Sequence, residues 1–71
     1  MMSPVRQEIL RVLTELSACC PTVRFGQLIA NLSYLAQGPT NEAIWDMEDE
    51  ELLEAAKRHL ATLMERHSSV G

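Results

Sequence analysis

The sequence predicts an all-α domain, a small three-helix bundle, and three observations lead there. Apolar residues recur at three- and four-residue spacing in three separate segments. Pro21 and the pair Gly38-Pro39 punctuate the chain between those segments. No stretch alternates apolar and polar as a half-buried strand does, and β-branched residues are sparse. Helices are expected at about 4–19, 23–37 and 47–66, in one domain over 1–67, with a disordered tail at 68–71.

The first helix opens on Ser3-Pro4. Serine caps a helix start well, and proline at the first helical position loses no hydrogen bond because its N–H had no partner. Val5, Ile9, Val12, Leu13 and Leu16 then make one apolar stripe, Leu10 lies off it, and Pro21 ends the segment.

For the second helix, Thr22 is the expected N-cap and Gly38-Pro39 the stop. Phe25, Leu28, Ile29, Leu32 and Leu35 form the expected buried face. At 100° per residue, Arg24, Gln27, Asn31 and Tyr34 share a polar flank. Gly26, Ala30 and Ser33 make a strip of small residues on the far side. Gly26 fits either a close backbone approach or a frayed helix start, and the second is favoured.

The third helix follows a connection through Ile44 and Trp45, which are too apolar for a solvated loop. Trp45 is expected to lid the core. Asp46, Glu48, Asp49, Glu50, Glu51 and Glu54 crowd the helix start, where carboxylates meet the positive end of the dipole. Leu52, Leu53, Ala56, Leu60, Leu63 and Met64 supply the apolar face, and Glu54 stands one turn before Arg58.

Composition narrows the function classes. A 71-residue chain makes one domain, and 46% hydrophobic residues argue against disorder. Cores of this size are marginal, at roughly 3–5 kcal/mol. The only cysteines, Cys19 and Cys20, are adjacent and cross-link no loop, so a homodimer is the remaining staple. Two cysteines without a leader-like segment fit a reducing, cytoplasmic setting, and no apolar run spans a bilayer. A net charge of −4 with six scattered cations gives no basic stripe for a phosphate backbone, so nucleic acid is disfavoured.

Arg24-Phe25-Gly26-Gln27-Leu28-Ile29-Ala30-Asn31-Leu32 and Ile44-Trp45-Asp46-Met47-Glu48-Asp49-Glu50-Glu51-Leu52 together resemble a group of small uncharacterised bacterial and phage proteins. The shared pattern is an R-[FL]-G-Q-[LI] helix start followed by an apolar-x-x-E-D-E-x-L helix start, over roughly residues 20–55. The resemblance implies a recurring helical unit. It carries over no activity, cofactor or site.

The acidic run fails as a calcium loop. Asp46, Glu48 and Glu50 take the first, third and fifth places, but the sixth is Glu51 where glycine is needed and the twelfth is Lys57. A solvated helix start is the favoured reading, ahead of a basic-partner dock or a nucleic-acid mimic. His59 and His67, eight residues apart, make no H-x-x-x-H metal pair. No Ser/His/acid or Cys/His set is present in the sequence pattern, and no phosphate-binding glycine loop. No catalytic residue, metal or cofactor is therefore expected.

Arg24 is the pointed case, a cation at the wrong end of a helix dipole. One reading has it bonding Glu48 or Asp49, clamping two helix starts together. The other leaves it exposed in water. Gln27, Asn31 and Tyr34 either form a recognition surface or face solvent.

The expected function is non-enzymatic: a helical interaction module binding a partner protein or a second copy. Its candidate residues are Arg24, Gln27, Asn31, Tyr34, Trp45, Glu48, Asp49 and Glu50. The competing class is nucleic-acid-related, as a helix-turn-helix-like reader or an acidic decoy of a nucleic-acid-binding protein.

Overall fold

The computed structural model describes the backbone of residues 2–69 and the side chains of residues 2–66. It holds four helices: α1 (Pro4–Cys19), α2 (Phe25–Gln37), a single turn α3 (Ala43–Asp46) and α4 (Asp49–Ser69). No strand occurs among the described residues. Three of the four match the expected helices, and α3 lies inside the expected connection. The backbone of residues 68 and 69 continues α4, and the rest of the expected tail lies outside the described residues.

α1 is built as its sequence requires. The Ser3 hydroxyl accepts from the Arg6 N–H at 3.2 Å, and Pro4 occupies the first turn. At the other end Cys20 leaves helical geometry ahead of Pro21, while its N–H still donates to the Leu16 carbonyl at 3.0 Å.

α2 starts two residues later than expected. Thr22 sits in a turn, and Arg24, in extended conformation, is the backbone N-cap. A guanidinium has no lone pair to offer, so no side chain caps this helix. The stop is as expected: Gly38 has φ 108°, which only glycine adopts without strain, and its N–H closes on the Tyr34 carbonyl at 2.8 Å.

α4 begins with half of a capping box. The Glu51 carboxylate reaches back to accept from the Glu48 N–H at 3.0 Å. It also accepts from the Gln37 side chain at the end of α2. Arg6, near the start of α1, donates to Asp49 at 2.9 Å. The starts of α1 and α4 and the end of α2 therefore share one end of the molecule. The topology is up–down–up, with α1 and α2 both packed on α4.

The core joins Ile9, Val12, Leu13 and Leu16 of α1, Leu28 and Leu32 of α2, and Ala56 and Leu60 of α4. Val5, Cys19, Val23, Ile29, Leu52, Leu53 and Leu63 close its edges. Three further buried residues are all small: Ser33, Ala43 and Ala55, on α2, α3 and α4. They fit the packing of α2 on both α3 and α4, since small side chains let backbones approach. The buried Ser33 hydroxyl is satisfied by the Ala30 carbonyl at 2.8 Å.

Three expected core residues are not core. Phe25, the first residue of α2, is left exposed although Val23 just before it packs on the core. Leu35 lies on the flank of α2 facing an open groove lined by Arg58, His59 and Thr62. Met64 is exposed while its neighbour Leu63 packs on the core, so it lies off the packed face of α4. The small strip on α2 divides likewise. Ser33 is buried, whereas a Cβ added at Gly26 would meet nothing within 4 Å, so no backbone approaches there.

Candidate interaction surface

The connection after α2 explains the most exposed large hydrophobic residue among those described. Thr40 donates to the Gly38 carbonyl and Ala43 to the Thr40 carbonyl, leading the chain into α3. Trp45 and Asp46 both donate to the Glu42 carbonyl at 3.0 Å, closing one helical turn. That turn is pinned by Ala43, which is 2% exposed. Residues two apart on a helix point about 200° from one another. Burying Ala43 therefore sends Trp45 outward, and it is 84% exposed. The expectation that Trp45 lids the core is overturned: alanine takes the inward place and the indole faces water. Ile44, a third of a turn away, is half exposed.

α3 packs against α2, whose outer flank carries Gln27, Asn31 and Tyr34, all exposed. None of the three makes a side-chain hydrogen bond within the described residues. Tyr34 and Leu35 add two large half-exposed side chains to the same helix. Tyr34 and the Ile44-Trp45 pair thus stand exposed on neighbouring elements.

Arg24 is not part of a clamp. It is exposed and forms no ion pair among the described residues. The reason is topological: α2 runs antiparallel to α4, so its start lies about 20 Å of helix away from the end that meets Glu48 and Asp49. Asp49 is bonded instead by Arg6, whose helix starts at the same end. That partner was missed in the sequence, although the alternation of three helices with short connections points to it. Glu48 and Glu50 are exposed, and Glu54 makes no ion pair with Arg58.

Electrostatics elsewhere on the molecule are local. On α1, Arg11 bonds both Glu8 and Glu15, one turn to either side. The Arg11 hydrogen bond holds Glu8 below the usual carboxylate range, against desolvation, with the charges of Arg11 and Lys57 assisting.

The surface depressions are open. One groove of about 330 Å³ between α1 and α4 is lined by Met2, Arg6, Ile9, Leu10, Asp49 and Leu52. Cys19 and Cys20 are free, half-buried thiols. No group of three or more His, Cys, Asp or Glu among the described residues is placed to hold a metal ion. No described helix is long and apolar enough to cross a membrane. Compared with family models, with curated proteins and with solved structures, the chain matches none.

Proposed function

We propose that the chain is a non-enzymatic protein-interaction module whose contact surface is the α2–α3 face, with Trp45 as its anchor. The observation that carries this reading is an indole exposed to water on a turn that the fold itself holds in place through Ala43. Tryptophan contributes most to binding when a partner covers it, and a backbone already held in its turn loses little entropy on docking. Tyr34 and Ile44 enlarge the apolar area, and Gln27 and Asn31 offer polar groups at its rim. The resemblance to small bacterial and phage proteins falls on these same two segments, and a bacterial cytoplasm belongs to the same proposal.

A nucleic-acid reader using α2 is less well supported. Its exposed flank offers a single cation, Arg24, where phosphate contacts need several.

The test is capture from cells that express the chain, with wild type compared against Trp45→Ala and Tyr34→Ala. A partner retained by wild type and lost with Trp45→Ala, while circular dichroism of the variant is unchanged, supports the reading. A partner held equally by all three places the working surface elsewhere.

A further inference from the structure

We propose that the occupant of this surface is a basic amphipathic segment of another protein, one that carries Lys and Arg beside an apolar face. This rests on the reading of the α2–α3 face as a docking surface. Between Glu42 and Glu54 the chain holds seven acids and no cation. The fold uses two of them: Asp49 receives Arg6, and Glu51 receives Gln37 and the Glu48 N–H. Glu42, Asp46, Glu48 and Glu50 remain exposed without an ion-pair partner among the described residues. They bracket Ile44 and Trp45 on both sides in sequence.

An apolar anchor set among uncompensated carboxylates selects its partner by charge. Phosphate backbones and anionic bilayers are repelled. A second copy, at net charge −4, brings mostly the same sign, and its exposed Arg24 lies at the far end of α2 from this region. Lysine and arginine side chains answer both features at once. Their aliphatic stems cover apolar surface while their heads reach carboxylates, and a cation over an indole face gains further attraction.

The full chain has one tryptophan, so its emission reports on this surface directly. The probes are a synthetic amphipathic Lys/Leu helical peptide and its Glu/Leu counterpart. A saturable blue shift with the Lys/Leu peptide alone, weakening as salt rises, is expected. The double variant Asp46→Lys/Glu48→Lys is expected to weaken that binding by about 10-fold or more, and Trp45→Ala, followed by calorimetry, by a similar factor. Equal binding of both peptides, or binding indifferent to the charge reversal, overturns the basic partner and leaves the docking surface standing. Unchanged affinity of Trp45→Ala overturns both. A blue shift on concentrating the chain alone identifies a second copy as the occupant and overturns this proposal, as does the absence of any shift with either peptide.

Discussion

On the α1–α4 side, the described residues follow the rules for a stable helical pair closely. Ser3 caps, Pro4 starts, the apolar stripe is buried, and Arg6 and Arg11 find carboxylates. On the α2–α3 side the same rules lapse. The helix start is uncapped, Arg24 makes no ion pair among the described residues, Phe25, Tyr34 and Ile44 are about half exposed, and Trp45 stands in water. A chain this small has little stability to spare. Exposed apolar area occurs on both sides, since Met2 and Leu10 border the open α1–α4 groove, but the largest single exposure is Trp45 at 84%.

The largest expected effect lies where packing is complete. Leu16 is fully buried, and Leu16→Ala should cost about 2–5 kcal/mol, enough to unfold much of the population. Trp45→Ala should cost under about 0.5 kcal/mol despite removing a larger side chain. Urea titrations of the two variants check this, and equal losses would erase the contrast between the sides.

Next comes the close approach at α4. Ala56 is fully buried within the main core cluster, so Ala56→Leu should destabilise by about 1–3 kcal/mol through overpacking. Thermal melts read this, and a neutral result would mean the helices have room to separate.

Capping sharpens the comparison further. Ser3→Ala should lose about 1 kcal/mol, because its hydroxyl accepts the Arg6 N–H, whereas Thr22→Ala should be close to neutral. The reverse order would restore Thr22 as the cap of α2.

The smallest effect is electrostatic. Glu8 has its pKa lowered in the fold, so its contribution is present above the ordinary carboxylate value and is lost as pH falls through the lowered one. The pair is exposed, so the effect is minor. Glu8→Gln should slightly flatten stability against pH in that acid window, measured by melts across the pH range.

The architecture was largely legible in the sequence because its signals are local. Periodicity marked the three long helices, Ser3-Pro4 and Gly38-Pro39 marked two boundaries, and all four buried α1 residues lay on the expected stripe. Errors arose where position depends on neighbours. Phe25, Leu35 and Met64 have the right type for a core but are left exposed by the way the helices pack. The Arg24 clamp joined two helix starts that antiparallel packing sets at opposite ends. At α3, hydrophobicity alone favoured Trp45 over Ala43 for the inward place. One helical turn admits only one of them, and the small residue won because α2 packs close. The exposed flank of Gln27, Asn31 and Tyr34 was visible from angular position, though no sequence signal told its occupant.

The central claim is that Trp45 in the free chain faces water rather than the core or another copy. Its fluorescence, followed with iodide quenching over a dilution series, tests this most directly. Red-shifted emission like that of indole in water is expected, fully open to the quencher and independent of chain concentration. Blue-shifted emission shielded from iodide in the dilute chain would contradict it.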